Sequence, residues 1–368
     1  MHIHSPFPAA IPQPDQLFEL AYRTLQWSKN SFGLAHKTLS SRLMNWLYPA
    51  PSRETQPIDT ALLANLQQRY EALLTVDWQD AQRGIYPPSL LFDHPWDEFF
   101  RYYPNLWLDL PQMWLRSQQQ QHQDFAPQIK TEGYPKYYLQ NFHHQTNGYL
   151  SDDSANLYDL QVDILFGGTA DAMRRRVLAP LKQGLAHFST LEPSQLKILD
   201  VACGTGRTLR QLRATFPQTA LLGCDLSAAY LRKANQTLHQ LPGELPQLIQ
   251  ANAEALPYAN QTFHGITSVF LFHELPPAVR RSVIQESYRL LKPGGTLIIC
   301  DSIQMSDSPE FAPMMANFPK LFHEPYYRHY TTDDLEAVLA KVGFTPIQTS
   351  IHLMSKYWIA QKPSLIAA

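Results

Sequence analysis

The stretch Leu196-Lys197-Ile198-Leu199-Asp200-Val201-Ala202-Cys203-Gly204-Thr205-Gly206-Arg207 determines how the rest of the chain is read. An apolar run with β-branched residues ends in a Gly-x-Gly turn, and Leu209 and Leu212 follow at helical spacing. This pattern predicts a buried strand, a tight turn and a helix. Glycines let the backbone approach a ligand closely, and the first helical turn offers free N–H groups. The turn is therefore typical of a site for a nucleotide-like ligand.

An acidic residue follows at the distance that such a site requires. The apolar run 220–224 ends at Asp225, about 20 residues after the glycine turn, where a carboxylate can accept both hydroxyls of a ribose. The dinucleotide fingerprint has a third glycine three residues after the second, but Leu209 stands there. The loop is therefore less suited to a pyrophosphate, which argues against a nicotinamide-dependent oxidoreductase.

The combination of Asp200, Gly204, Gly206 and Asp225 resembles the class I S-adenosylmethionine-dependent methyltransferases. The resemblance implies that S-adenosyl-L-methionine is the cofactor, with the first acid and the glycine backbone at its methionyl part and the second acid at its ribose. It also implies an α/β fold, a Rossmann-like seven-stranded sheet with six parallel strands and one antiparallel strand. The cofactor-binding residues expected on this basis are Asp200, Ala202, Gly204, Gly206, Asp225, Leu226, Asn252, Ala253 and Phe270.

Two further segments carry the resemblance. The loop 251–258 is similar to the family's Asp-Ala-x-x-Leu-Pro segment, whose first residue hydrogen-bonds the adenine amino group. Here Asn252 stands in place of the aspartate, and its amide oxygen can accept the same bond. The second segment, 290–295, reads Leu-Leu-Lys-Pro-Gly-Gly. Strands and helices alternate from residue 191 to residue 368, which indicates parallel βαβ units, with a helix capped by Thr331 before a closing hairpin.

Composition excludes some classes of partner. The chain has 368 residues, 44% of them hydrophobic, with 30 basic and 32 acidic side chains, so no basic excess favours nucleic acid. A small-molecule substrate is expected instead. The three cysteines show no CxxC spacing, which indicates a reducing, cytoplasmic compartment and no metal site.

Membrane insertion is also not expected. The start, Met1 to Pro8, lacks the basic and apolar regions of a secretory signal, and no run approaches about 18 apolar residues. A cytoplasmic protein, with possible peripheral contact to a membrane, is the interpretation. The sequence leaves the oligomeric state open.

Three regions are expected: a helical, aromatic-rich region 1–135, a helical cap 136–190 and the methyltransferase domain 191–368. Six of the seven tryptophans precede residue 120. Helical spacing predicts one helix from Asp15 to Tyr48, a linker from Pro49 to Pro57 and a second helix capped by Asp59. The prolines of the segment 85–111 predict short helical turns rather than a long helix.

The cap looks like the corresponding part of the quinone-biosynthesis C-methyltransferases. The counterparts are Tyr158, Asp159, Gly167 and the run Arg174 to Arg176. Ser151 or Asp153 can cap a helix that Gly167 and Gly168 end, and a second helix follows through Met173 to Leu185. The simplest reading of the arginine run is a solvated helix face.

Candidates for chemistry lie at the end of the fourth strand and in the flanking segments. His273 follows that strand, where the family presents the methyl group, and it either acts as a general base or only orients the loop. The substrate candidates are His143, His144, Tyr149, Tyr326 and Tyr330. The aromatic insertion 302–330 either walls an apolar acceptor site or packs against the N-terminal region.

The sequence thus predicts methyl transfer to a small hydrophobic or aromatic acceptor, such as a quinone precursor, by in-line displacement. Two alternatives remain open. One is an O-methyltransferase that acts on a soluble metabolite, and the other is a catalytically silent module that binds the cofactor.

Overall fold

The computed structural model describes residues 14–49 and 54–364. Its helices are α1 (Pro14–Leu47), α2 (Thr60–Gln82), α3 (Trp96–Gln119), α4 (Asp152–Leu165), α5 (Ala170–Arg175), α6 (Leu178–Leu185), α7 (Arg207–Thr215), α8 (Ala228–Leu238), α9 (Pro277–Leu290), α10 (Ala312–Leu321), α11 (Tyr327–Tyr330) and α12 (Leu335–Val342). Its strands are β1 (Lys197–Val201), β2 (Ala220–Asp225), β3 (Gln247–Gln250), β4 (Phe263–Val269), β5 (Leu291–Ser302), β6 (Ile347–His352) and β7 (Ser355–Gln361). The segment 1–8 and part of the expected linker lie outside the described residues.

The strands form a sheet in the order β3-β2-β1-β4-β5-β7-β6. β1 pairs in parallel with β2 on one side and β4 on the other, whereas β7 runs antiparallel to β5 and β6. The expected arrangement of six parallel strands and one antiparallel strand is confirmed. The direction of winding reverses between β1 and β4, and sheets of this kind bind ligands at that point, beyond the carboxyl ends of the strands.

Helices cover both faces of the sheet because successive strand residues point to opposite sides. Leu199 and Leu297 belong to the apolar cluster that contains residues of α9 and α12. Their neighbours Ile198 and Ile298 belong to the cluster with residues of α6, α7 and α8. Parallel strands buried on both faces contain continuous apolar runs, as β5 does over residues 297–300.

The N-terminal helices pack onto this core. α4 contacts α1, α3 and α8, and α2 contacts α5 and β6. Tyr22 of α1 and Leu73 of α2 are fully buried in the same apolar cluster as Ile198 of β1. The three regional boundaries proposed from the sequence stay a prediction. Among the described helices, none combines the length and hydropathy needed to span a bilayer.

The prediction of short turns over 85–111 was wrong, because α3 is a helix of 24 residues with Pro104 and Pro111 inside it. An interior proline costs about 3 kcal/mol of helix stability. Packing offsets this cost: Leu106 is buried among α4 side chains, and Phe99 meets Phe32 of α1 edge-on, with ring centroids 5.3 Å apart. Tertiary contacts therefore override the local preference.

The arginine run is buried, so the prediction of a solvated face was also wrong. Arg174, Arg175 and Arg176 are at most 6% exposed. Arg175 Nη2 lies 2.6 Å from Asp77 Oδ2, and Arg176 Nη1 lies 2.6 Å from Asp80 Oδ2. Both carboxylates belong to α2, almost 100 residues earlier in the chain. The sequence around the arginines therefore does not reveal that their partners are buried.

Three boundaries differ from expectation. α12 is capped by Asp334, whose side chain accepts the N–H of Ala337, whereas the Thr331 hydroxyl donates to the carbonyl of Arg328. The helix expected through Met173 to Leu185 is divided into α5 and α6. β5 extends back through the Lys-Pro-Gly-Gly turn, where its register against β4 shifts.

Candidate cofactor and acceptor site

A cleft of about 800 Å³ opens at the carboxyl ends of the central strands. β1 is followed by Ala202, β2 ends at Asp225, and β4 is followed by Phe270, so the topology brings all three to one place. The cleft wall includes these residues predicted from the sequence: Ala202, Gly204, Asp225, Leu226, Asn252, Ala253 and Phe270. The geometry thus collects most of the expected cofactor set.

The carboxylate of Asp225 is fixed at the edge of the cleft. Its Oδ2 accepts the N–H of Gly204 at 2.9 Å and its Oδ1 accepts the N–H of Ser227 at 2.8 Å. Burial raises the pKa of Asp225 to about 6. Gly204 has a φ of 54°, and a Cβ built there would meet only a carbon of Tyr230, at 4.0 Å. The glycine turn therefore leaves room for a ligand beside the carboxylate.

Asp200 and Gly206 do not line the cleft. Asp200 is 1% exposed, its Oδ1 accepts the Thr267 hydroxyl at 2.7 Å, and its Oδ2 has no hydrogen-bond partner within the described residues. Burial raises the pKa of Asp200 to about 7. A buried carboxylate oxygen without a partner suits a ligand that brings an ammonium group. Gly206 has a packing role instead, because a Cβ there would lie 3.1 Å from Ala234 of α8.

Asn252 keeps its expected position in the loop after β3. Its Oδ1 accepts the N–H of Glu254 at 2.9 Å and its amide donates to Glu254 Oε1 at 3.2 Å. The carbonyl oxygen has two lone pairs, so one stays available to an amino group in the cleft. The two hydrogen bonds therefore hold the Asn252 side chain in place and leave it able to accept a hydrogen bond from a ligand.

Tyrosines of the cap, together with Tyr230 of α8, form another wall of the cleft. Tyr138, Tyr149, Tyr158 and Tyr230 line it, and Tyr149 meets Tyr230 edge-on at a centroid distance of 5.3 Å. The Tyr149 hydroxyl donates to Glu274 Oε1 at 2.5 Å. The cap thus contributes an aromatic surface to the site.

A second cavity of about 890 Å³ adjoins the cleft. Tyr158, Phe270 and Glu274 line both spaces, so the two share a wall. The rest of the second lining is mostly apolar and comes from α4, the insertion 302–330 and β7's hairpin: Val162, Leu165, Phe166, Met314, Met315, Phe318, Tyr327 and Met354. The aromatic insertion therefore walls an apolar space.

His273 reaches this second cavity. Its Nδ1 lies 2.6 Å from Asp301 Oδ1, and the other oxygen of Asp301 accepts the N–H of Phe272 at 2.6 Å. Burial by itself lowers the pKa of His273, but the carboxylates around it, Asp301 foremost and then Glu324 and Glu274, together outweigh burial and raise the pKa to about 9. The ring is oriented through Nδ1, which leaves Nε2 as the atom for other partners.

The five substrate candidates lie in different parts of the structure. His143 lines the apolar cavity and Tyr149 lines the cleft. His144 lies at a shallow surface depression beside His323, Tyr326 is half-buried outside both walls, and the Tyr330 hydroxyl donates to the carbonyl of Ser302. The structure therefore brings two of the five predicted residues to the site.

Sequence reasoning missed two acidic side chains at this site. Glu274 lines both spaces, and the fully buried side chain of Glu324 lies 2.9 Å from His143. The position of Glu274 directly after His273 was a usable signal. Glu324 lies among aromatic residues of the insertion, where no motif identifies it.

Comparison with known proteins agrees with this geometry. Residues 198–295 match the family model described as a methyltransferase domain. The chain is 30% identical over 165 residues to an uncharacterized methyltransferase from Synechocystis, an alignment of 44% of this chain and 72% of that protein. A demethylmenaquinone methyltransferase from Lactiplantibacillus plantarum is 30% identical over 46% of this chain and 68% of its own length. A ubiquinone/menaquinone biosynthesis C-methyltransferase from Desulfotalea psychrophila is also 30% identical, over 41% of this chain, and the chain spans only 56% of that relative.

The doubly wound sheet, its antiparallel seventh strand and the cleft at the glycine turn define a Rossmann-like methyltransferase fold. The chain belongs to the class I S-adenosylmethionine-dependent methyltransferases, whose cofactor is S-adenosyl-L-methionine.

Proposed function

We propose that this protein transfers a methyl group from S-adenosyl-L-methionine to a small hydrophobic or aromatic acceptor. The observation that carries the proposal is the shared wall: Tyr158, Phe270 and Glu274 each face both the cleft and the apolar cavity. A methyl donor bound in the cleft and an acceptor bound in the cavity would therefore lie next to each other at this boundary. Because the two linings share residues, the cleft can hold the methyl donor and the cavity the acceptor of one reaction.

Residues of the cleft, together with Asp200, which is buried just before the glycine turn and does not line the cleft, fit the parts of the cofactor. Asp225 would accept the ribose hydroxyls, and the amide oxygen of Asn252 would accept the adenine amino group. Asp200 would neutralise the methionyl ammonium group, which its unpartnered Oδ2 suits. Because Gly204 leaves the space above the turn open, the backbone can approach the ligand without a clash.

When bound, the cofactor supplies a methyl carbon already activated by a sulfonium, so the acceptor provides the electron pair of the new bond and the electrons of the broken C–S bond stay on sulfur. The chain has to align the acceptor and exclude water. The apolar lining from α4 and α10 does both. His273 belongs to the acceptor side of the reaction, because its ring lines that cavity and its Nδ1 is already held by Asp301.

The acceptor is expected to be a quinone precursor or a similar ring-bearing lipid. Met314, Met315 and Phe318 give the cavity an adaptable apolar surface, which suits a ring with an alkyl substituent. Relatives named as demethylmenaquinone and ubiquinone/menaquinone C-methyltransferases support the same class. A cytoplasmic protein that contacts the membrane peripherally to collect such an acceptor fits this proposal.

Metabolite profiling tests the proposed function. A strain that lacks the gene should accumulate an apolar, ring-bearing compound lighter than its normal product by one CH₂ unit, and the purified protein should convert it with S-adenosyl-L-methionine. Accumulation of only a water-soluble precursor would favour the O-methyltransferase of a soluble metabolite. An unchanged metabolite profile, with no turnover of any extract fraction, would contradict methyl transfer.

A further inference from the structure

Four side chains with metal-binding atoms meet at the boundary between the cleft and the apolar cavity. They are His143, His273, Glu274 and Glu324, and their ligand atoms all lie within 4.8 Å of one another. His143 Nε2 is 2.9 Å from Glu324 Oε1 and 3.7 Å from Glu274 Oε1. His273 Nε2 is 4.0 Å from Glu274 Oε1. The residues come from the cap, from the loop after β4 and from the insertion.

These spacings are those of atoms around a common centre. Nitrogen and oxygen ligands that lie about 2.1 Å from a metal are about 3.0 to 3.4 Å from their neighbours and about 4.2 Å from an opposite ligand. The three distances between His143, His273 and the two glutamates, 2.9, 3.7 and 4.0 Å, each lie within about 0.3 Å of one of these spacings. Small side-chain movements would therefore complete the shell.

The carboxylate of Glu324 is buried against His143. The side chain is completely buried, and its Oε1 lies 2.9 Å from His143 Nε2. Its other oxygen, Oε2, accepts no hydrogen bond from the described residues, so this buried atom suits a further partner. Within residues 14–49 and 54–364, no lysine or arginine forms an ion pair with Glu274 or Glu324.

Outer contacts orient two of the four ligands. Asp301 holds His273 through Nδ1 at 2.6 Å, so that Nε2 faces the cluster. The Tyr149 hydroxyl donates to Glu274 Oε1 at 2.5 Å. A carboxylate behind a histidine is the usual second-shell arrangement of a metal-bound imidazole, and ligating carboxylates are themselves hydrogen-bonded.

We propose that His143, His273, Glu274 and Glu324 bind one divalent first-row transition-metal ion. Two imidazoles and two carboxylates form a nitrogen and oxygen donor set that suits Zn²⁺, Mn²⁺ or Fe²⁺. The histidine pair favours these ions over Mg²⁺ and Ca²⁺, which prefer oxygen donors alone. The prediction from the sequence that the chain has no metal site is replaced by this proposal.

The site suggests a role that rests on the proposed function, whereas metal binding itself does not. His143, His273 and Glu274 line the acceptor cavity, so an ion held by them would face the acceptor. A metal ion there would bind a hydroxyl or carbonyl oxygen of the acceptor, stabilise its anion and orient it. The acceptor is thereby narrowed to compounds that carry such an oxygen next to the methylated atom.

Metal titration of the full chain tests the site. The protein is stripped with a chelator, and Zn²⁺ and Mn²⁺ are each titrated alone by calorimetry, with elemental analysis after dialysis. We expect one ion per chain, with affinity at least about 100-fold lower in Glu324→Gln and in His273→Gln and about tenfold lower in Tyr149→Phe. His264→Gln is the matched control: this histidine is also 3% exposed, but it accepts the N–H of Lys197 far from the cluster.

Each outcome of the metal titration either supports or overturns the proposed site. Absence of saturable binding to the native chain, or equal binding by the native chain and both cluster variants, overturns the proposal. Near-ultraviolet circular dichroism and thermal unfolding of each variant serve as folding controls, and Tyr149→Phe keeps the test decisive if a ligand variant does not fold. Metal binding without any affinity for S-adenosylhomocysteine would contradict the proposed function and leave the metal site standing.

Discussion

At the scale of single residues, burial decides which charges the site offers. Asp200 lies one residue before the end of β1 and Asp225 ends the neighbouring β2; both accept hydrogen bonds, yet burial raises their pKa values to about 7 and about 6. A cationic ligand that binds beside these carboxylates is therefore expected to lower their pKa values and favour their charged forms. The same burial leaves Asp200 Oδ2 without a partner, which a methionyl ammonium group would supply.

This electrostatic arrangement predicts a pH-dependent cofactor affinity. A carboxyl with a raised pKa is neutral below that pKa, so protonation of Asp200 removes the charge that attracts the ligand. The affinity for S-adenosylhomocysteine should fall as the pH drops below about 7, approaching about tenfold per pH unit. Calorimetry between about pH 8 and about pH 6 measures this slope. In Asp200→Asn the slope should be shallower, and an equal slope in both proteins would exclude Asp200.

The residues that sequence reasoning found and missed differ in how local their signals are. Asp225 was predicted because its distance from the glycine turn follows from one βαβ unit. Glu324 was not, because its partner His143 lies 181 positions earlier and no periodicity links the two. A contact between residues of two distant elements therefore produces no recognisable pattern in the sequence around either residue.

At the scale of elements, the insertion with α10 determines the acceptor space. Met314 and Phe318, one helical turn apart, point into the cavity, whereas Leu321 on the same helix is 47% exposed. The sequence allowed this aromatic segment either to pack or to wall a site. In the structure it does both, since Phe311 and Met315 are buried in the core cluster.

Filling the acceptor cavity should separate acceptor binding from cofactor binding. Met314→Trp adds bulk to the cavity from α10, so the KM for the acceptor should rise at least about tenfold because the larger side chain occupies space that the acceptor needs. Affinity for S-adenosylhomocysteine should stay unchanged. Leu321→Trp, on the exposed side of the same helix, is the control. Equal kinetics in Met314→Trp and the native protein would show that the acceptor binds elsewhere.

The buried arginines show why the contacts between the N-terminal helices and the core were not predictable. Asp77 of α2 receives hydrogen bonds from Arg175, Tyr22 and Tyr86, which lie on α5, α1 and a loop. The amphipathic patterns of α1 and α2 were visible in the sequence, but their partners were not. A charge run reads as solvated until the carboxylates that neutralise it are located in space.

Loss of Asp77 should destabilise the fold strongly. Burial raises the pKa of this carboxyl, but Arg175, Arg176 and the Tyr22 hydroxyl together outweigh burial and lower the pKa, so the charge is kept in the interior. Asp77→Ala leaves the buried Arg175 without its carboxylate partner and should lower the free energy of unfolding by about 3–5 kcal/mol. Asp152→Ala breaks an exposed pair with Arg232 and should cost about 1 kcal/mol or less. Urea denaturation measures both, and similar losses would contradict the assigned role.

At the scale of the whole molecule, the fold could be predicted because one motif fixes a topology. The glycine turn and Asp225 define the first βαβ unit, and the alternation of strands and helices after it leaves few arrangements for the sheet. The three N-terminal helices follow no such rule. Their helicity was visible, except for the proline-containing α3, but how they pack on the sheet depends on contacts distant in sequence.

Several buried histidines make the stability of the whole fold depend on pH. Burial lowers the pKa of His94, His264 and His352 from 6.5 to about 4 in each case. Between these values each of these imidazoles binds a proton in the unfolded chain but not in the folded chain, so the stability that it contributes is complete above about pH 6.5 and is lost as the pH falls toward about 4. The raised pKa values of Asp200 and Asp225 act in the opposite direction, so the test compares a variant with the native protein. In thermal unfolding, His94→Gln should lose less stability than the native protein as the pH falls from about 6.5 to about 4. An equal or larger loss in His94→Gln would contradict the prediction.

The central claim is that the cleft at the glycine turn binds the adenosyl cofactor through Asp225. Calorimetric titration with S-adenosylhomocysteine tests it most directly, because this product needs no acceptor. We predict saturable binding at one site in the native protein, weakened at least about 100-fold in Asp225→Ala, where both ribose hydrogen bonds are lost. The absence of heat with the native chain, or an unchanged affinity in a folded Asp225→Ala protein, would contradict the account.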